Sequence, residues 1–261
     1  MIAPAPESKI TETKLLVSVR DEAEAVAALS GGADWIDLKE PRAGALGAVD
    51  LATAADVARS VGTRCPLSAA LGEMRGWQDT HAPSLLEVAE ISYVKLGLSG
   101  CAGDSTWKSR WQRTDAEMSA AGKLLVAVAY ADWHLAHGPA PTEVLALAAQ
   151  SSARCLLVDT FDKNAGSTPE LLQDAELREL VHQAKSCGVM VVLAGKLQRE
   201  CLTSLPLEFV DLVAVRSAVC SAGRNGSVER SLVSQLKVAL DVSNQRVGRP
   251  ESGTEAAQKT Q

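Results

Sequence analysis

The sequence predicts an α/β protein folded as a closed (β/α)8 TIM barrel, a single domain with flexible tails, and three observations carry that prediction. Eight short apolar runs recur along the chain, each followed by a segment of helical character. The runs are continuously apolar rather than alternating, as in parallel strands covered on both faces. The length, 261 residues, suits one such barrel. An open doubly wound sheet competes, but no G-x-G-x-x-G follows any of the runs.

Residues 1–14 are rich in Pro, Thr and Glu, lack apolar periodicity and read as a flexible leader. Leu15 to Ser18 reads as the first strand, and Asp21 to Leu29 as a helix that Gly31-Gly32 ends, since glycine tolerates a left-handed terminus. Asp34 to Lys39 is the second strand, running into a Pro/Gly-rich loop and a helix from Leu51 to Ser60. The alternation then repeats: strand Pro66 to Leu71 with helix Ser84 to Glu90, and strand Tyr93 to Gly97 with helix Lys108 to Ala121. Strand Lys123 to Ala129 precedes helix Pro141 to Gln150, and strand Cys155 to Asp159 precedes helix Pro169 to Ser186. Strand Val189 to Ala194 leads to a short helix, Gln198 to Ser204, and strand Phe209 to Val215 to a last helix, Val228 to Val242. The barrel is expected over residues 15–243, and residues 244–261, polar throughout, read as a disordered tail.

Composition narrows the function. Hydrophobic residues at 46% and charged residues at 22% fit a soluble enzyme with a sizeable core. A net charge of −6 argues against nucleic acid or an anionic membrane as partner, while leaving room for a locally basic pocket and an anionic metabolite. The six scattered cysteines contain no C-x-x-C and read as free thiols in a reducing cytosol. No apolar run approaches the roughly 18 residues of a spanning helix, and the N-terminus lacks a signal-peptide core, so a cytoplasmic location is expected.

In this barrel class, catalytic groups stand at the carboxyl ends of strands and in the loops that follow. That filter selects Asp37 and Lys39 after the second strand, Lys95 after the fourth, and Tyr130 and Asp132 after the fifth. It adds Asp159 and Lys163 after the sixth, Lys196 after the seventh and Arg216 after the eighth. Side chains alternate across a strand, so Asp37 and Lys39 point the same way. A lysine inside a barrel is costly unless a carboxylate pairs with it, and Asp37 and Asp159 can do so. The residues alone therefore leave two readings, a structural ion-pair cluster or a reactive amine. A reactive amine must be neutral to attack a carbonyl, and a neighbouring cation or desolvation frees its lone pair. The resulting iminium acidifies the adjacent carbon, and a second group takes that proton. Phosphate is the natural handle on the substrate. The loops after strands seven and eight offer Gly195 with Lys196, Arg216 with Ser217, and Gly223-Arg224-Asn225-Gly226, with Arg216 placed to grip an anion bidentately.

Several of these stretches, in order, resemble the (5-formylfuran-3-yl)methyl phosphate synthase family of methanofuran biosynthesis. They are Ile36-Asp37-Leu38-Lys39, Gly44-Ala45-Leu46-Gly47, Tyr93-Val94-Lys95-Leu96-Gly97, Tyr130-Ala131-Asp132, Leu157-Val158-Asp159-Thr160 with Lys163, Leu193-Ala194-Gly195 and Val215-Arg216. The resemblance implies a lyase that joins two molecules of glyceraldehyde 3-phosphate, losing one phosphate and water. It implies a Schiff base on Lys39 and Lys95 as proton acceptor, with Asp37, Asp159 and Lys163 assisting and no metal or organic cofactor. Lys196 and Ser217 depart from the family pattern, where a small hydroxyl residue and a glycine are expected. Two other readings stay open: another Schiff-base aldolase or epimerase on phosphosugars, and a non-catalytic phosphometabolite-binding barrel.

Two further features call for a role. His134 and His137 form an H-x-x-H without a third ligand, which reads as a solvated pair. Trp77, Trp107, Trp111 and Trp133 fall in segments read as loops at the carboxyl face, where they suit local packing, a hydrophobic lid or the contact of a homo-oligomer.

Overall fold

In the computed structural model, which describes residues 12–247, the eight apolar runs hydrogen-bond in sequence order and the last closes on the first. The barrel strands are β1 (Lys14–Val19), β2 (Trp35–Leu38), β3 (Leu67–Glu73), β4 (Ile91–Gly97), β5 (Leu124–Tyr130), β6 (Cys155–Asp159), β7 (Met190–Leu193) and β8 (Leu212–Val215), all paired in parallel, and a short strand, Ser221–Arg224, follows outside the barrel. This is the predicted (β/α)8 TIM barrel. Leu15, Val17 and Val19 pack in the layer that also holds helix residues Ala25 and Ala28, whereas Leu16 packs inside the barrel with Leu157, Val192 and Leu212. Both faces of each strand are thus apolar, which is why the runs are continuous in sequence.

The helices are α1 (Glu22–Ser30), α2 (Leu51–Val61), α3 (Trp107–Ala120), α4 (Pro141–Ala148), α5 (Thr168–Leu171), α6 (Asp174–Ser186) and α7 (Arg230–Val247). Asp21 and Asp50 cap α1 and α2, their carboxylates accepting from the backbone N–H groups of Glu24 and Thr53. Several expected elements change. The helices expected at Ser84 to Glu90 and Gln198 to Ser204 are short 3-10 turns, Ala82–Glu87 and Arg199–Thr203. The first is cut short where Val88 turns extended ahead of β4. The helix expected over Pro169 to Ser186 breaks at Leu172, whose backbone goes extended so that its side chain is buried. Phe209 lies in a 3-10 turn rather than in β8. Lys123 precedes β5, and its ammonium donates to the carbonyls of Val88 and Ile91 at 2.7 and 2.8 Å.

The tryptophans do not form a lid. Trp107 and Trp111 are buried on one face of α3 with Met118, and Trp77 is buried in a 3-10 turn. Trp133 is half-buried, with its ring stacked on His134 at 3.5 Å.

Residues just outside 15–243 pack against the barrel. The hydroxyl of Thr13 donates to the carbonyls of Leu207 and Val210, and its backbone N–H and C=O pair with the side-chain amide of Asn244. The rest of the expected leader and tail, residues 1–11 and 248–261, lies outside the described residues. Among those described, no helix is long and apolar enough to cross a membrane.

Candidate active site

Strand register sets the first half of the site. Ser18 of β1 lies level with Asp37 of β2, and Asp37 level with Ser68 of β3. The Asp37 carboxylate therefore accepts from the Ser18 hydroxyl at 2.9 Å on one oxygen and from the Ser68 hydroxyl at 2.8 Å on the other. Lys95, from β4, donates to that second oxygen at 2.6 Å. Both members of this ion pair are buried, at 5% and 3% side-chain exposure. A buried pair is tolerated when its remaining lone pairs are met, and the two serines meet them.

The second half is built on Asp159, at the end of β6. One oxygen accepts from Lys39 at 3.2 Å; the other accepts from Lys163 and from the Thr160 backbone N–H, both at 2.8 Å. Burial alone would raise the Asp159 pKa, but the two ammonium groups hold it well below the usual carboxylate range. Burial acts the other way on Lys163, bringing its pKa down to about 8 despite Asp159, with the Lys39 charge pushing in the same direction. Lys163 spends all three donors, since it also bonds the carbonyl and hydroxyl of Thr160. Lys39 spends one.

These groups line one cavity at the carboxyl mouth of the barrel, walled by Leu46, Leu157, Ala194 and Ala214. Gly195, Lys196, Ser217 and Arg224 complete it on the side of β7 and β8. Gly195 sits at φ +87°, and a Cβ there would come within 2.1 Å of the Thr168 hydroxyl, so both conformation and space require glycine. Six cationic side chains and two carboxylates line this cavity, in a protein whose net charge is −6. The excess of cations favours an anionic ligand.

Three expected binding residues have their polar groups engaged by other parts of the chain. Arg216 lines the wall, but its five donors are all spent: on both oxygens of Glu24 and on the carbonyls of Ser18, Arg224 and Gly226. It cannot grip an anion without breaking one of these. Tyr130 lies within β5, not after it, and its hydroxyl donates at 2.6 Å to Glu73, away from the cavity lining. Asp132 accepts from the backbone N–H groups of Phe161 and Asp162, both at 2.7 Å, and so fixes the loop that carries Lys163. Conversely, Ser18 and Ser68 were not anticipated, although a lone hydroxyl in each apolar run was the available signal. Glu73 also escaped notice, because a register shift in the β3–β4 pairing extends β3 past Leu71. Burial raises the Glu73 pKa, and its carboxylate accepts from Tyr130 and the Ser99 backbone N–H.

A site of this composition can do two things: bind phosphate and supply a neutral amine. Among the described residues no group of three or more His, Cys, Asp and Glu side chains is placed to hold a metal ion.

Comparison with known proteins agrees with the geometry. Solved structures similar to this one include phosphoribosyl anthranilate isomerase from Thermotoga maritima (TM-score 0.59, 13% identity, 88% of this chain and 99% of that one). Thiamine phosphate pyrophosphorylase from Pyrococcus furiosus is another (TM-score 0.58, 16% identity, 88% and 96%). At such identities they speak for the barrel fold alone. Sequence relatives say more. The (5-formylfuran-3-yl)methyl phosphate synthase of Methanosarcina barkeri is 32% identical over 227 residues, covering 85% of this chain and 97% of the relative. That of Archaeoglobus fulgidus is 30% identical over 237 residues, covering 87% and 99%. The family model described as 4-HFC-P synthase matches residues 15–237, so with all the strands but the first residue of β1 inside the match, the chain belongs to the (5-formylfuran-3-yl)methyl phosphate synthase family of enzymes.

Proposed function

We propose that this enzyme condenses two molecules of glyceraldehyde 3-phosphate into (5-formylfuran-3-yl)methyl phosphate through a Schiff base on Lys39, with one phosphate and water leaving. The observation that carries this reading is the sharing of Asp159 by two lysines. One buried carboxylate cannot neutralise two ammonium groups, so the cluster sheds a proton readily, and it titrates as a unit. Lys163 gives up that proton near pH 8. Lys39 is the better nucleophile of the two, because a single bond holds its nitrogen whereas three hold that of Lys163.

In this reading Lys39 passes its proton to the neutral amine of Lys163, with which it shares Asp159, then adds to the triose carbonyl, and water leaves. The iminium acidifies the neighbouring carbon, whose proton passes to the Lys95 amine as Lys95 hands its own proton to the Asp37 carboxylate 2.6 Å away. The carbon nucleophile then attacks the aldehyde of the second triose. The phosphate rests against the Gly195, Lys196 and Ser217 side of the cavity, and the product serves a methanofuran-type one-carbon carrier.

Borohydride reduction in the presence of glyceraldehyde 3-phosphate, followed by peptide mass spectrometry, tests the reading. A reduced adduct on Lys39 together with a furan aldehyde in unreduced incubations is the expected result. Furan formed with no adduct at Lys39, or an adduct with no furan, overturns the assignment.

A further inference from the structure

The two arginines near β8 have opposite bonding. Arg216 is saturated, as described above. Arg224 makes one side-chain hydrogen bond among the described residues, from Nη2 to the carbonyl of Gly44 at 2.6 Å; it lines the cavity, and its charge acts on Asp159 and Lys163. Four of its five donors are therefore uncommitted. Its backbone, by contrast, is firmly held. Arg216 donates to the carbonyls of Arg224 and Gly226 at 2.8 and 3.0 Å, and Arg20 donates to those of Asn225 and Gly226 at 3.2 and 3.3 Å. Buried Glu24 is the counter-ion of both guanidiniums. The outcome is a fixed mount with a free head.

That head reaches from the end of the short strand Ser221–Arg224, which follows β8, to the loop after β2, which follows Lys39. The Gly44 carbonyl is a neutral acceptor, exposed to solvent. A phosphate dianion in the cavity offers the planar fork two charge-assisted bonds in place of that neutral one, and such bonds are about twice as strong. Lys196, exposed at the rim and with no side-chain partner among the described residues, supplies a point charge but no fork.

We infer that Arg224, and not Arg216, is the guanidinium that takes the substrate phosphate, and that Gly44 holds it until the anion arrives. The inference rests on the cavity being a triose-phosphate site, but not on the Schiff base.

Titration calorimetry with inorganic phosphate at low ionic strength, on the wild-type chain, Arg224→Gln and Arg224→Lys, tests it. Phosphate should bind the wild type, at least tenfold more weakly Arg224→Gln, and with intermediate affinity Arg224→Lys. Melting temperatures should be unchanged, because the side chain makes one neutral bond. Borohydride trapping of unphosphorylated glyceraldehyde on Lys39 should proceed in all three, and change by a smaller factor than phosphate affinity does. Equal phosphate affinity in wild type and Arg224→Gln, or no phosphate binding by the wild type, overturns the assignment. So does an equal loss of trapping with unphosphorylated glyceraldehyde, which would mark a disturbed site rather than a lost phosphate contact. Phosphate binding that depends on Arg224, with no adduct trapped in the wild type, would leave Arg224 in place and sink the Schiff-base reading instead.

Discussion

Asp37 and Asp159 are both buried carboxylates at the mouth of the same barrel, and their surroundings differ in one respect. Asp37 has one lysine and two serine hydroxyls; Asp159 has two lysines and a backbone N–H. The first arrangement balances charge, its members at 5% and 3% side-chain exposure. The second carries one cation too many, and its lysines keep 12% and 17% side-chain exposure. A balanced pair can pass a proton between its members, whereas an unbalanced trio has one to give up. Two kinds of proton transfer can thus be drawn from the same two residue types.

The largest effect expected is from Lys39→Arg, which keeps the charge beside Asp159 but cannot form an imine. Turnover should fall below detection with the melting temperature preserved, and a near-normal rate would refute the role given to Lys39. Next comes a contrast in stability, measured by urea unfolding. Asp37→Ala strands Lys95 in the barrel and should cost about 3–5 kcal/mol. Asp159→Ala should cost less, about 1–3 kcal/mol, because Lys39 and Lys163 can turn toward water. Equal losses would erase the distinction between the two carboxylates.

The third effect is on pH dependence. Lys163 should lose its proton near pH 8, so kcat/KM should climb through that region. Asp159 is what holds the Lys163 pKa up, so in Asp159→Asn the residual activity should climb at lower pH. A limb that does not move would detach Lys163 from Asp159. Stability follows the same groups. The native state gives up the Lys163 proton near 8 and the unfolded chain near 10.4, so the unfolded state binds more protons between these values and stability rises across that window. The depressed Asp159 contributes stability that is present above about pH 4 and lost as the pH falls below it. The smallest effect concerns a pair outside the two clusters. At Gly97 a Cβ would stand 2.2 Å from both the Glu73 carboxylate and the Tyr130 hydroxyl. Gly97→Ala should therefore cost about 1–3 kcal/mol by overpacking while leaving the Lys163 limb in place.

The eight strands were legible because burial on both faces leaves uninterrupted apolar runs, as in Leu124 to Ala129. Asp37, Lys39, Lys95, Asp159 and Lys163 were legible as a group because charge at the end of such a run is conspicuous. The engagement of Arg216 was not legible, for a different reason. Its donors are claimed by Glu24, 192 residues away, and by carbonyls, and no local pattern records such partners. The α3 tryptophans were partly legible. Trp107, Trp111 and Met118 sit at helical spacing, but the polar residues between them masked the stripe. Leu172 shows the opposite limit: a periodic pattern from Pro169 to Ser186 gave no sign that burying one leucine breaks the helix in two.

The pairing of Thr13 with Asn244 has a consequence for how the barrel could be rewired. The ring of strands is continuous in hydrogen bonds, yet the covalent chain has a single gap between β8 with α7 and β1, and this amide clasp spans it. Residues 231 apart in sequence are thereby neighbours in space. A short peptide joining Thr13 to Asn244, in place of the residues beyond them, would close the backbone into a loop, and new ends cut at the exposed Ala121-Gly122 turn would fall between α3 and β5, in residues that line none of the lysine-bearing cavity. The order in which the eight units are synthesised is therefore separable from the order in which they are arranged around the lysines.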